Sequence, residues 1–228
     1  MPKDWTGGTA SVYKSIAATN HAQEGYEREE NDFYATAPEA VELLLEVEPD
    51  LSNVWENACG MMHIADVLEK HGILGRASDI VNRTNDPRIE IVDFLAEPKG
   101  LLAKKEIWAG DCISNPPYKY ALDFVKRSLE VIPEGRKVCM FLKLTFLEGK
   151  ERKEFFLKNP PKTVYVCSGR IPCAKNGEFF VPKLDKKGNK ILDAEGNPVL
   201  EKVGSAVCYA WFVWEKGFKG DPVIKWIN

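Results

Sequence analysis

An open, mostly parallel α/β sheet of seven strands, with helices on both faces and an added β-hairpin, is the fold this sequence predicts. Short apolar runs alternate with amphipathic helical segments, the order that gives crossover connections and a parallel sheet. Lys137 to Leu144 is apolar almost throughout, as a strand buried on both faces must be. Late in the chain, Lys187-Gly188-Asn189 and Glu195-Gly196-Asn197-Pro198 are turn signals between two strands, so residues Lys183 to Gly204 form a protruding hairpin.

Taken in order, residues 1–30 contain Gly7-Gly8, scattered Ser, Thr and Asn, and an acidic run from Glu27 to Asp32; they form an N-terminal arm before a domain over 31–228. Pro38 suits a first helical turn, and Val41, Leu44 and Leu45 share one face after it. Asn53 to Ala58 is a strand, followed by a helix with Ile64, Val67 and Leu68 in phase that stops near Gly72. Arg76–Val81, Ile89–Leu95 and Ile107–Ser114 are further strands. In Tyr120–Ile132, Leu122, Val125, Leu129 and Ile132 recur at helical spacing until Pro133 and Gly135. A charged helix spans Glu148–Lys158, and Thr163–Cys167 and Val207–Trp214 complete the strands. No internal repeat is read.

Composition narrows the function. Hydrophobic residues are 44% and charged residues 29%, which excludes a disordered or collagen-like chain. The longest apolar run, Ala206 to Trp214, is about half of what a membrane span needs, and the first thirty residues have no signal-peptide core. A cytoplasmic protein with no membrane partner is expected. Its six cysteines lack CxxC spacing and its histidines number three, so reduced thiols and no metal site are expected. The net charge of −3 hides an asymmetry: residues 1–142 carry 15 basic and 24 acidic side chains, residues 143–228 carry 16 and 10. A basic C-terminal segment suits phosphate, though lysines on a solvated hairpin explain it equally.

Two candidate sites lie where strands feed helices, the place open α/β sheets bind ligands. The first strand ends in Glu56-Asn57-Ala58-Cys59-Gly60, and Asp79 follows Gly60 at the offset of about 20 residues at which an acid grips an adenosine ribose. The glycine-rich pyrophosphate fingerprint is absent, which favours a cofactor carrying adenosine without phosphate, such as S-adenosylmethionine, over a nicotinamide dinucleotide. Asp93-Phe94 fits the adenine of the same cofactor, Asp93 accepting from its amine and Phe94 packing on its ring.

The fourth strand ends in Asn115-Pro116-Pro117-Tyr118, a tetrapeptide expected by chance in about one chain in a thousand of this length. Two prolines stiffen the turn and remove two donors, leaving the Pro116 carbonyl beside the Asn115 side-chain oxygen. Two acceptors and an aromatic face suit a planar exocyclic amine, held and aimed at an electrophile without a strong base.

With these residues in place, the chain resembles the S-adenosylmethionine-dependent adenine-N6 DNA methyltransferases, in particular small phage and prophage members. Asn115-Pro116-Pro117-Tyr118 resembles their catalytic loop, and Asn31 to Pro38 their N-terminal cofactor segment. Lys143 to Gly149, Gly169 to Pro172, Tyr209 to Trp214 and the lead-in Ala17 to Tyr34 are also similar. Asn57 departs from the family's usual Pro, and Met62 stands where its second Gly sits. The resemblance implies a Rossmann-like class I methyltransferase fold and DNA as partner, in a monomer or weak dimer. It implies Tyr34, Thr36, Pro38, Glu56, Ala58, Gly60, Asp79, Ile80, Asp93, Phe94 and Asn115 around the cofactor, and Asn115 to Tyr118 at the amine. Arg170, Lys183, Lys186, Lys187 and Lys190 are expected at phosphates. Methylation of RNA adenine or of a protein glutamine amide, or a binding module with a lapsed pocket, stay open as alternatives.

Overall fold

The computed structural model describes residues 34–96, 107–169, 171–175, 177–205 and 207–228. Its centre is a mixed sheet of eight strands rather than seven. They are β2 (Val54–Glu56), β3 (Leu74–Asp79), β4 (Ile89–Ile91), β5 (Cys112–Ser114), β6 (Lys137–Lys143), β7 (Thr163–Cys167), β11 (Tyr209–Glu215) and β12 (Val223–Ile227). The order is β12-β7-β11-β6-β5-β2-β3-β4. Only β11 runs against its neighbours, pairing antiparallel with β6 and β7, so the other seven strands are mutually parallel. The eighth strand, β12, was missed because its Val223-Ile224-Lys225-Trp226 stretch is exposed and shows no buried alternation.

Helices cover both faces. On one side α1 (Pro38–Val47) and α2 (His63–Lys70) bury Val41, Leu44, Ile64 and Leu68 against Ile113, Phe141 and Trp211. On the other, α3 (Ala121–Val131) and α4 (Lys150–Lys158) bring Phe124, Val125 and Phe155 onto Val138, Met140 and Phe212. Successive residues of β6 and β11 therefore serve opposite cores, which is why both strands read as unbroken apolar runs. Trp211 and Trp214 are fully buried, and each indole N–H has an acceptor: the Ala40 carbonyl at 2.7 Å and the Asn159 carbonyl at 3.1 Å. At the amino end of β6, the Lys137 ammonium bonds to Glu48 at 2.6 Å and to both Asp50 oxygens, and Glu48 also accepts from the Tyr165 hydroxyl at 2.7 Å.

Two small ladders flank the sheet. β1 (Tyr34–Thr36) pairs antiparallel with β8 (Cys173–Lys175), setting Thr36 opposite Cys173. β9 (Phe180–Pro182) pairs with β10 (Leu200–Lys202) at the base of the expected hairpin. Beyond that base the excursion holds a repeat that the sequence reading passed over: Leu184-Asp185-Lys186-Lys187-Gly188-Asn189 and Leu192-Asp193-Ala194-Glu195-Gly196-Asn197. In each, the aspartate accepts from the backbone N–H groups two and four residues on, and the glycine takes φ +85°. Among the described residues no helix is long and apolar enough to cross a membrane, and no group of three metal-ligating side chains occurs. Cys59, Cys112, Cys139, Cys167, Cys173 and Cys208 are free thiols.

Candidate functional site

The chain runs outward from β2 through β3 to β4, then returns to the other side of β2 with β5, so the sheet's switch point lies between β2 and β5. Glu56 and Ser114 end these two strands, and Asn115 follows. Five buried side-chain atoms among the described residues have no hydrogen-bond partner: Thr36 Oγ1, Glu56 Oε2, Asn57 Oδ1, Ser114 Oγ and Asn115 Oδ1. Buried polar atoms are normally paired, so Thr36, Glu56, Ser114 and Asn115, on β1 and at the carboxyl ends of β2 and β5, mark a candidate site for a polar ligand, whereas Asn57 bonds to Ser128 on the helix side.

Asn115 is held from two sides. Its Nδ2 donates to the Tyr34 carbonyl at 2.8 Å and to Cys173 Sγ at 3.7 Å. A carbonyl can only accept, so the amide cannot turn over, and Oδ1 is the atom left to face a ligand. Pro116 is buried, and the following 3-10 turn closes with Tyr120 N–H on the Pro117 carbonyl at 2.9 Å, leaving the Pro116 carbonyl outside the turn. Tyr118 stacks on Tyr34 with ring centres 5.8 Å apart, and its hydroxyl bonds to that of Tyr209 at 2.9 Å. Desolvation pushes the Tyr118 phenol far above its ordinary range, so it stays neutral. β11 brings Tyr209 here because, running antiparallel, it starts at the end where its neighbours finish.

The cofactor-side expectations divide. Glu56 is fully buried, and desolvation holds its carboxyl well above the ordinary value, with the Asp79 and Asp66 charges adding to the rise. Asp79 accepts from Gly60 N–H at 2.8 Å and Val81 N–H at 3.1 Å, and pairs with Arg83 at 3.2 Å. It fastens the Gly60 turn to β3, so a ribose would share oxygens already engaged. Asp93 is exposed, accepting from Leu95 N–H. Ile80 is half exposed, Ala58 is partly buried against the α3–α4 core, and Pro38 begins α1.

Phe94 is 6% exposed and packed in the core, in a T-shaped contact with Trp55 at 5.2 Å and beside Phe124 at 5.3 Å. Met62 takes φ +71°, the left-handed conformation that a glycine adopts freely. Its side chain is 2% exposed and points into the sheet–helix interface with Cys59, Ala65, Ala77 and Ile89. The glycine-like backbone is kept, and the methionine does not fill the ligand side. Close by, Gly177 approaches His63 so tightly that an added Cβ would lie 2.9 Å from the imidazole, and Phe179 meets the same ring edge-on at 5.4 Å. Desolvation lowers the His63 pKa.

Lys183, Lys186, Lys187 and Lys190 are all exposed on the first of the two hairpin turns, and no hydrogen bond or ring contact joins them to Asn115 or Tyr118 among the described residues. Arg170 lies outside the described residues, as does the lead-in before Tyr34. Cys173, Tyr209 and Ser114 were not singled out as site residues. No local pattern marks them, since their places depend on strand order.

No family model matches the chain, and no curated protein matches it. Solved structures do. A chain from a type I restriction–modification system aligns over 96% of this chain and 49% of its own, with 14% identity and a TM-score of 0.51. A Pyrococcus horikoshii protein classed as a candidate RNA methyltransferase aligns over 90% and 99%, with 13% identity and a TM-score of 0.50. This chain spans about half of the restriction–modification chain. At such identities the likeness defines the fold: this is a methyltransferase-like α/β architecture, with an eighth strand at the sheet edge.

Proposed function

We propose that the protein transfers a methyl group from S-adenosylmethionine to the exocyclic amine of adenine in DNA, in the manner of the small phage and prophage enzymes that the Asn115–Tyr118 loop resembles. The observation that carries this reading is Asn115 Oδ1, buried, unpartnered and fixed in sense by the Tyr34 carbonyl. An acceptor held this way selects a donor, and the Pro116 carbonyl offers the second acceptor an –NH2 needs.

The cofactor fits the residues present. Thr36 Oγ1, Glu56 Oε2 and Ser114 Oγ are buried atoms without partners, and Met62 is turned away. Tyr34, Thr36, Pro38, Glu56, Ala58, Gly60, Asp79, Ile80, Asp93 and Asn115 would hold it. When bound, it supplies an electrophilic methyl carbon whose bond to a sulfonium sulfur breaks with the electron pair left on sulfur. Asn115 Oδ1 and the Pro116 carbonyl accept the two N–H bonds, draw the nitrogen lone pair out of ring conjugation and fix its direction. As the N–C bond forms, positive charge grows on the amine, and the same two oxygens stabilise it until the surplus proton leaves to solvent. Tyr118 supports the base, whose extrusion from a duplex costs a few kcal/mol.

The test is methyl transfer from labelled S-adenosylmethionine to unmethylated duplex DNA, digested to nucleosides, with Asn115→Ala beside the wild type. Label in N6-methyladenine that vanishes in the variant supports the reading. Cofactor binding without label on DNA redirects it to RNA or to a protein amide. Neither binding nor label defeats the enzyme reading.

A further inference from the structure

Lys143 ends β6 beside the Asn115 loop, partly buried. Its ammonium stands 4.1 Å from the centre of the Tyr118 ring. Directly across the β6–β11 ladder is Tyr209, and the Lys143 charge also acts on the Cys173 thiol. All three neighbours are neutral near pH 7, because burial raises both phenols above their ordinary range and the Cys173 thiol to about 11. Among the described residues, the other lysines that are not fully exposed are matched, Lys126 by Asp123 and Glu151 among them. Lys137 and Lys162 meet carboxylates at 2.6 Å, and Lys216 donates to the Ile132 carbonyl at 2.6 Å. Lys143 has no such carboxylate or carbonyl among the described residues, only the face of an aromatic ring. A partly desolvated ammonium held by a ring face alone is a site for an anion.

We propose that Lys143, yielding the Tyr118 ring face to an incoming base, takes the phosphodiester of that base's nucleotide. This rests on the reading of the site as one for adenine in DNA and extends it to the backbone. The base, its sugar and its phosphate are covalently joined, so the same nucleotide that reaches Tyr118 carries a fixed negative charge into the neighbourhood of this ammonium. Lys143 thereby favours a nucleotide over a free base or an amide side chain, and it acts on the extruded nucleotide rather than on paired duplex.

The experiment is equilibrium binding of a short duplex with one adenine opposite a mismatched base, which extrudes at least cost. It is run with S-adenosylhomocysteine present and salt varied between about 50 and 200 mM. Lys143→Met should weaken binding several-fold and flatten the log–log salt slope by about one unit, while Lys143→Arg keeps the wild-type slope. Lys219→Met, at the far end of the sheet, should change neither. If Lys143→Met does not fold, as judged by its melting curve, Lys143→Gln replaces it. An unchanged slope in the neutral variant overturns the proposal. So does a loss confined to S-adenosylhomocysteine affinity, which would make the anion the cofactor's carboxylate. Wild type that binds this duplex but makes no N6-methyladenine defeats the methylation reading and leaves the slope to judge Lys143. Wild type that binds neither mismatched nor paired duplex defeats both.

Discussion

The Asn115 side chain donates to the Tyr34 main-chain carbonyl across 81 residues of sequence, and that single bond decides which end of the amide the site presents. β1 can offer the carbonyl because its ladder with β8 holds it against the loop after β5. A carboxylate at 115 would set an oxygen against the Tyr34 oxygen. Asn115→Asp should therefore lower methyl transfer by at least about 100-fold, the scale of losing one preorganised polar contact to a reacting group. Single-turnover rates measure this, and a melting temperature near that of wild type separates it from misfolding.

Glu56 makes a pH-dependent prediction whose sign follows from its burial. Its carboxyl is raised in the folded protein, so the folded state binds a proton that the unfolded state has lost above the ordinary carboxylate range. Stability is therefore full below that range and declines as pH rises toward the folded pKa. Glu56→Gln removes this titration. The melting temperature of the variant minus that of wild type should be smallest in acid and grow toward neutral pH. A difference that stays flat with pH would mean Glu56 is ionised in the fold.

Met62 pits two known costs against each other. A non-glycine residue at φ +71° carries about 1–3 kcal/mol of backbone strain. Removing a buried methionine costs about 2–5 kcal/mol. Met62→Gly should come out net destabilised, by about 1–3 kcal/mol in urea unfolding. Since the side chain faces Ala77 and Ile89, cofactor affinity by calorimetry should stay within about twofold of wild type. A large gain in affinity would mean that the methionine obstructs the pocket.

The Lys137 cluster is a structural fastening at the end of the sheet opposite the site. Lys137→Met leaves Glu48 buried beside Tyr165 with its counter-charge gone, which should cost about 3 kcal/mol in chemical denaturation. The Asp50 carboxyl is lowered by its hydrogen bonds to Lys137, so its contribution is present above the ordinary carboxylate range and lost as pH falls through the folded value. The part of the difference that Asp50 supplies should disappear in acid.

On the hairpin, changing Lys183, Lys186, Lys187 and Lys190 together to Gln should leave the melting temperature unmoved, because all four are exposed. Duplex affinity should fall and its salt slope flatten. An unaltered slope would put the phosphate-binding face elsewhere. The two matched turns also allow a comparison within one chain: Asp185→Ala and Asp193→Ala each remove the acceptor of two backbone N–H groups, so each should loosen only its own turn in amide exchange.

Much of this was legible in one dimension. The helices begin and end within about two residues of where Pro38, Gly72, Pro133 and Asn159 put them, because stop signals and helical periodicity are local. Strand boundaries were less exact: Ile107–Ser114 shrinks to Cys112–Ser114, and Ile89–Leu95 to three residues, since only hydrogen bonding to a neighbour makes a strand. The hairpin repeat is equally legible, as LDxxGN twice over.

Local spacing determined the alternation of strands and helices, the buried character of β6, and the stiff Asn115–Tyr118 turn at a strand end, because each depends on residues a few positions apart. Tertiary structure alone decided that Phe94 serves the core, that Met62 faces Ala77, and that Tyr34, Cys173, Tyr209 and Lys143 surround the loop. Those partners lie up to 91 residues away from it, as Tyr118 does from Tyr209. What joins them is the order of strands in the sheet and the reversed direction of β11, and neither is written in the spacing of any one segment.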